Sequence, residues 1–174
     1  LAGGPGRTGA ATMAARAAGI TGAGLVFLGI PSSLNTIAET SLTETLTVPL
    51  PADENGFLTA DALPRILEKI DEVNALLIGP GMGRAPQTQE IIKAALEHAE
   101  KTSKPTVVDA DALFYLSTDD ALCNRLGNHF ILTPHYGEFM RISGHKKLEM
   151  QSVPWKVLEE FLSSMNAADE LLVN

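Results

Sequence analysis

The sequence predicts a three-layer α/β/α fold built on a mainly parallel β-sheet. Short apolar segments alternate along the chain with segments in which Ala, Leu, Glu and Lys recur at helical spacing. Such alternation is typical of parallel sheets. The strand candidate Ala75–Ile78 is apolar at every position, as expected of a strand that helices cover on both faces. A length of 174 residues with 45% hydrophobic residues suits one domain with a sizeable core.

The individual elements follow from the spacing of apolar residues. Five short segments poor in charge are predicted to be strands: Leu25–Ile30, Leu46–Leu50, Ala75–Ile78, Thr106–Val108 and Phe130–Leu132. Four segments with helical spacing are predicted to be helices: Ala10–Ala18, Ala60–Val73, Gln87–Lys101 and Ala112–Leu116. The segment Pro49–Gly56 holds two prolines and is predicted to be an exposed loop.

The last part of the chain predicts a polar loop over Gly144–Pro154 and then a helix over Trp155–Met165. One stripe of that helix carries Trp155, Leu158, Phe161, Leu162 and Met165 and is predicted to join the core. Both ends resemble interrupted elements: Leu1 and Ala2 directly precede a glycine turn, and an apolar run begins at Leu171. Because parallel sheets rarely begin in mid-element, we expect residues 1–174 to be one partial domain, without its N-terminal strand region.

Composition limits the classes of partner. A formal charge of −8 and a pI near 4.9 disfavour nucleic acids and anionic membranes, which attract clustered Lys and Arg. Small molecules are the better partner class, and a bound phosphate would depend on backbone N–H groups, metal ions and a few local cations. The single Cys123 and the absence of a long apolar run predict a cytoplasmic protein that does not span a membrane.

Two glycine-rich segments are candidate ligand contacts. Gly3–Gly9 opens a helix whose first N–H groups attract anions, although a tight turn alone explains the glycines equally well. Gly79–Arg84 directly follows a strand candidate, and the carboxyl ends of parallel strands are where open α/β sheets bind ligands. There the glycines let the backbone approach a ligand closely. We therefore favour a functional interpretation for Gly79–Arg84.

Two polar clusters also follow strand candidates. Asp109 and Asp111 could order a magnesium-bound phosphate, or one of them could cap the next helix while the other stays free. His135 and Glu138 lie in a turn bounded by Pro134 and Gly137. A histidine there can donate to a phosphate or a carboxamide, whereas Glu138 could order water or merely stabilise the first turn of a helix.

Taken in order, these motifs resemble the ADP/ATP-dependent NAD(P)H-hydrate dehydratases, which have a ribokinase-like fold. The chain reads GGPGRTGA, GAGLV, GPGMG, DADAL and LTPHYGEF where that family has similar segments in the same order. Pro5, Met82 and Tyr136 replace a serine, a leucine and a proline of the family pattern. Each motif is loose by itself, but their order and intervals together are specific.

The resemblance implies dehydration of hydrated NADH and NADPH, here NADHX and NADPHX, coupled to hydrolysis of ADP or ATP with Mg²⁺. It implies substrate contacts from Ala10, Gly81, Gly83 and His135. It also suggests Asp109, Asp111 and Glu138 as residues that order magnesium or phosphate, without a direct protein ligand to the metal. The partners expected are small-molecule nucleotides, and we expect a homo-oligomer.

The family's catalytic Gly-Thr-Gly-Asp motif has no counterpart in these residues, and the resemblance places it beyond Asn174. We therefore expect an enzyme whose 1–174 segment alone is inactive. Two alternatives stay open from the sequence. One is a small-molecule kinase of the same fold, such as a vitamin-precursor kinase. The other is a non-catalytic module that binds nucleotides or supports assembly.

Overall fold

A computed structural model describes residues 1–144 and 154–164 of the chain. Its strands are β1 (Phe27–Pro31), β2 (Leu46–Leu50), β3 (Leu76–Ile78), β4 (Thr106–Val108) and β5 (Phe130–Leu132). Its α-helices are α1 (Thr8–Ile20), α2 (Asn35–Ser41), α3 (Leu63–Glu72), α4 (Pro86–Lys101), α5 (Asp111–Leu116), α6 (Asp120–Cys123), α7 (Tyr136–Ser143) and α8 (Pro154–Ser164). Short 3-10 helices precede α2 and α3, at Ser32–Leu34 and Ala60–Ala62.

The strands form two parallel groups, β1 with β2 and β3-β4-β5. The first residues of the chain lie between these groups. Ala2 N donates to Gly29 O of β1 at 3.1 Å, while the Leu1 nitrogen donates to Leu77 O of β3 at 2.7 Å. Residues 1–3 thus take the position of a central strand, and the order across the sheet is β2, β1, residues 1–3, β3, β4, β5.

The direction of travel across this sheet reverses once. The chain passes from residues 1–3 outward to β1 and β2, and then crosses back to β3. Right-handed crossovers therefore place α1 and α2 on one face and α3, α4 and α5 on the other. Two separate core clusters agree with this arrangement, one around Ala11, Leu28 and Ala38 and a larger one that includes Ile66 and Ile92. The three-layer prediction is confirmed.

The strands β3, β4 and β5 are less completely covered than their apolar sequences predict. The first and last residues of each are buried, whereas Leu77, Val107 and Ile131 in the middle are half-buried. Leu77 and Val107 line a cavity of about 780 Å³ that also includes Leu1, Phe27 and Leu76. Because Phe27 and Leu76 begin their strands, this cavity reaches the amino ends of the strands.

Most predicted elements are confirmed, with shifted ends. Three strands have the predicted bounds, and the long helix predicted from Gln87 begins one residue earlier, at Pro86, because proline suits the first position of a helix. The predicted loop Pro49–Gly56 is wrong at its start, where Pro49 and Leu50 still belong to the edge strand β2. Helices α2 and α6 were not predicted.

The predicted stripe on the last helix is wrong in part. Trp155 is 62% exposed, whereas Val157 and Phe161 are buried. The Phe161 ring meets the buried Phe139 ring of α7 edge-on, with ring centroids 5.4 Å apart. The face of α8 that packs into the core therefore carries Val157 and Phe161, four residues apart. Met165 and the predicted loop between Gly144 and Pro154 lie outside the described residues. Across residues 1–144 and 154–164, no helix combines the length and apolarity needed to cross a bilayer.

Candidate functional site

The candidate residues gather at one edge of the sheet. They lie in the segments that follow residues 1–3, β3, β4 and β5: Ala10, Gly81, Gly83, Asp109, Asp111, His135 and Glu138. The first two of these segments, after residues 1–3 and after β3, flank the point where the strand order reverses. In open parallel sheets the carboxyl ends of the strands at such a switch point form the usual ligand crevice. The fold therefore supports the position that the sequence predicts for the site.

Two glycine turns meet at this point, the first over Gly3–Gly9 and the second over Gly79–Arg84, and they pack directly against each other. Gly3 N donates to Pro80 O at 2.8 Å, and a Cβ atom built on Gly4 would lie 2.8 Å from Gly81 O. A Cβ atom on Gly81, whose φ is +67°, would lie 2.9 Å from Arg7 O and 3.2 Å from the Ala10 side chain. The structure thus brings Ala10 and Gly81 together, and the glycines serve close backbone packing as well as conformation.

Asp111 holds the second glycine turn. Its Oδ2 accepts a hydrogen bond from Gly83 N at 2.8 Å, and its Oδ1 lies 3.4 Å from Arg84 Nε. Nearby, Tyr115 donates its hydroxyl to Ala85 O at 3.0 Å. Burial, and then the charge of Asp111, raise the pKa of Tyr115, so the phenol stays protonated and keeps donating. A ligand that hydrogen-bonds to Gly83 N would have to displace this carboxylate.

Asp109 has a different partner. Its Oδ1 accepts a hydrogen bond from the Thr133 hydroxyl at 2.8 Å, which links the ends of β4 and β5. The expectation that one aspartate caps α5 and the other stays free is wrong. No side chain caps α5, and both Asp109 and Asp111 have partners in other segments. Between them Ala110 has a φ of +49°, an unusual conformation for a residue with a Cβ atom.

His135 and Glu138 form a reciprocal cap on α7. His135 Nδ1 accepts hydrogen bonds from Gly137 N at 3.0 Å and Glu138 N at 3.4 Å, while Glu138 Oε2 accepts from His135 N at 3.0 Å. The first-turn role considered for Glu138 is therefore confirmed. Because Nδ1 accepts, a neutral His135 carries its proton on Nε2, which lies 3.5 Å from Glu138 Oε1. The His135 side chain is 69% exposed and the Glu138 side chain 15%.

The site offers a ligand a hydrogen-bond donor at His135 Nε2. The carboxylates of Asp109 and Asp111 are held in fixed orientations by their own partners. Within the described parts of the chain, no three His, Cys, Asp or Glu side chains converge to hold a metal ion. Mg²⁺ in nucleotide sites is held mainly by phosphates, water and one or two carboxylates. The residues present fit a magnesium ion that arrives with a nucleotide. The ordering roles suggested for Asp109, Asp111 and Glu138 stay predictions.

Sequence reasoning missed three side chains at this edge. Thr133 binds Asp109, and a Cβ atom on Gly83 would lie 2.8 Å from the Phe57 ring and 3.2 Å from Arg7 Nη1. Thr133 could have been found from the sequence because it is a polar residue directly after a strand. Arg7 could have been found because it is a cation inside a glycine turn. Phe57 gives no such signal, because it approaches Gly83 from a distant loop.

Comparison with known proteins agrees with these observations. The NAD(P)H-hydrate dehydratase family model matches residues 1–167. The bifunctional NAD(P)H-hydrate repair enzyme Nnr of Moorella thermoacetica is 41% identical over 151 residues, which are 87% of this chain and 28% of that protein. The ATP-dependent (S)-NAD(P)H-hydrate dehydratase of Ciona intestinalis is 33% identical over 146 residues, 83% of this chain and 38% of that protein. The chain thus spans well under half the length of these relatives.

Solved structures share the fold. A ribokinase-like superfamily protein from Enterococcus faecalis superposes with a TM-score of 0.81 at 20% identity, covering 100% of this chain and 56% of that one. An ADP/ATP-dependent NAD(P)H-hydrate dehydratase from Bacillus subtilis, co-crystallised with ATP and Mg²⁺, gives 0.70 at 23% identity and the same coverage. The ribokinase-like fold expected from the motifs is therefore confirmed. With the family match over residues 1–167, the chain belongs to the NAD(P)H-hydrate dehydratase family.

Proposed function

We propose that the protein carrying this chain restores NADH and NADPH from NADHX and NADPHX at the expense of ATP or ADP. Family membership supports the reaction, and its relatives bear names that describe it. The observation that carries the assignment to this site is the cap at α7. There the Nδ1 atom of His135 accepts from two backbone N–H groups, so Nε2 carries the proton that a ligand could accept; Nε2 lies 3.5 Å from Glu138 Oε1 on a side chain that is 69% exposed.

The chemistry requires a poor leaving group to become a good one. Transfer of the terminal phosphoryl group to the hydroxyl on the hydrated nicotinamide forms a phosphate ester. The bond between the ring carbon and the ester oxygen then breaks and inorganic phosphate leaves. A proton is lost from the neighbouring ring carbon, and the ring double bond returns. Catalysis of phosphoryl transfer is mostly positioning and charge stabilisation. We assign positioning of the nicotinamide end to His135 Nε2 and to the wall formed by Ala10, Gly81 and Gly83.

The remaining roles belong to the same proposal. Magnesium would arrive with the nucleotide phosphates, and Asp109, Asp111 and Glu138 would order its bound water. The resemblance assigns the catalytic carboxylate to the Gly-Thr-Gly-Asp motif, which residues 1–174 do not contain, so our activity tests use the full-length protein. The homo-oligomeric state and cytoplasmic location expected from the sequence also stay predictions.

The decisive experiment compares three histidine variants of the full-length protein with NADHX or NADPHX and ATP or ADP. His135→Asn keeps a side-chain oxygen that can cap α7 but removes Nε2, so we expect KM for the hydrate to rise about tenfold at an unchanged melting temperature. His135→Ala should weaken hydrate binding more than it lowers stability. His98→Ala is the matched control, since His98 pairs with Asp71 on another helix.

Two outcomes would contradict the proposal. If wild-type protein leaves the hydrate unconsumed with either nucleotide, the dehydratase function is wrong, and phosphorylation of a vitamin precursor would then favour the kinase alternative. If His135→Asn behaves like His98→Ala in KM, the function could stand but the site assignment would be wrong.

A further inference from the structure

Two arginine side chains lie at the second glycine turn, and a third, Arg141, lies near one of them. Arg7 Nη1 would be 3.2 Å from a Cβ atom on Gly83, and Arg84 is the next residue along the chain. The Arg84 guanidinium carbon lies 4.0 Å from the centroid of the Phe114 ring, and that of Arg141 lies 5.4 Å from the same centroid. The three cations come from the α1 turn, the β3 turn and α7, so the fold and not the sequence gathers them.

Their charges are poorly compensated by nearby carboxylates. Within the described residues, the carboxylate that Arg84 contacts is that of Asp111, whose Oδ1 lies 3.4 Å from Arg84 Nε, which is long for an ion pair. Among residues 1–144 and 154–164, neither Arg7 nor Arg141 has a carboxylate within 4.0 Å. By contrast, Arg65 reaches Glu68 at 2.7 Å. Shared contact with Phe114 keeps the guanidinium carbons of Arg84 and Arg141 within about 10 Å, roughly one Debye length in dilute salt. Their repulsion is therefore incompletely screened, and a bound anion would relieve it.

We propose that Arg7, Arg84 and Arg141 form a cationic rim that binds phosphate groups of the hydrated dinucleotide. The inference rests on the proposed function, since it gives that substrate a second point of attachment. Guanidinium groups match phosphate geometry with paired hydrogen bonds. Arg141 follows His135 by six residues on α7, a rise of about 9 Å along the helix. A dinucleotide whose nicotinamide meets His135 is long enough for its phosphates to reach Arg141.

The test uses single Arg→Gln variants at these three positions in the full-length protein. For each, KM and kcat are measured with NADHX, NADPHX and ATP. We expect KM for both hydrates to rise about fivefold or more in each variant; kcat and KM for ATP should stay unchanged in Arg7→Gln and Arg141→Gln, which remove a charged contact to the hydrate alone. A larger rise for NADPHX than for NADHX would assign the contact to the 2′-phosphate, and equal rises would assign it to the diphosphate bridge.

Two further variants separate binding from general effects. Arg16→Gln removes the same charge from an exposed position on α1, away from the rim, and should leave every KM unchanged. Arg84→Lys keeps the charge without the paired geometry and should recover part of the affinity. Because Arg84 also contacts Asp111, melting temperatures are compared, and Arg141→Gln tests the rim without touching the glycine turn.

Calorimetric titration with NADPH provides a readout that does not require turnover. The three rim variants should raise the Kd for NADPH by about the same factor as they raise KM for the hydrates. The rim is wrong if those variants leave KM for the hydrates and Kd for NADPH unchanged, if they raise KM for ATP instead, or if Arg16→Gln has an equal effect. If wild-type protein fails to consume hydrate, the proposed function fails, and the NADPH titration still decides whether the rim binds a dinucleotide.

Discussion

Replacing Gly79 by alanine would place a methyl group in space that the backbone after β4 already occupies. Gly79 directly follows β3 and has a φ of +123°, and a Cβ atom built there would lie 1.9 Å from Asp109 O and 2.7 Å from the Ala112 Cβ atom. The nearest atom is a backbone carbonyl oxygen, so a rotamer change cannot relieve the clash. The carboxyl ends of β3 and β4 would have to separate.

The expected cost has two parts. Holding a residue with a Cβ atom in this sparsely populated region of φ costs about 1–3 kcal/mol. Forcing a methyl group into packed surroundings costs roughly another 1–3 kcal/mol. We therefore expect Gly79→Ala to lower the free energy of unfolding by about 2–6 kcal/mol, a large part of the typical stability of a domain.

Urea unfolding followed by circular dichroism measures this cost, and Gly19→Ala is the matched control. Gly19 lies in α1, and a Cβ atom added there would have no neighbouring atom within 4 Å, so alanine at this position should raise stability by about 0.5–1 kcal/mol. The same chemical change is thus expected to have opposite signs at the two sites. A Gly79→Ala variant as stable as Gly19→Ala would refute the packing argument.

Three further predictions concern local interactions. Glu138→Ala should lower the free energy of unfolding by about 0.5–1 kcal/mol in urea titrations by removing half of the α7 cap, and Glu138→Gln should recover most of it. The pKa of Asp119 is held below 3.8 by the Leu122 N–H group and then by Lys93. Its charge therefore stabilises the fold above pH 3.8, and the melting-temperature advantage of wild type over Asp119→Asn should vanish as pH falls below that value. Burial raises the pKa of Cys123 to about 11, so iodoacetamide at pH 8 should label it slowly until urea unfolds the chain.

Secondary structure could be predicted wherever apolar spacing was strong. Helix α2 was missed because its sequence NTIAETS has few apolar residues, and Ile37 among them is 50% exposed. The helix is anchored instead by Ala38, which is 1% exposed. Helix α6 is only four residues long and begins where the Asp119 carboxylate accepts from Leu122 N. Tertiary packing and a local cap decide such elements, and neither produces a periodic pattern.

At the site, the sequence could predict which segments meet but not which atoms pair. Candidates after the strands were identifiable because the carboxyl ends of parallel strands share one edge. The cap between His135 and Glu138 is local and follows from a spacing of three residues. By contrast, Gly83 and Asp111 are 28 residues apart in the chain. Their contact depends on the relative position of two turns, which no local pattern encodes.

The pairing of backbone donors changes how an acidic chain can hold phosphate. Glycine turns beside helices usually supply free N–H groups to anions. Here Gly3, Met82 and Gly83 donate theirs to other groups of the protein. These three N–H groups are therefore not free for an anion, and the proposed rim supplies side-chain cations at the same edge of the sheet. Because the chain carries a net charge of −8, only local clustering can make the potential positive. Rising ionic strength should consequently weaken hydrate binding in wild type more than in a variant that lacks Arg141.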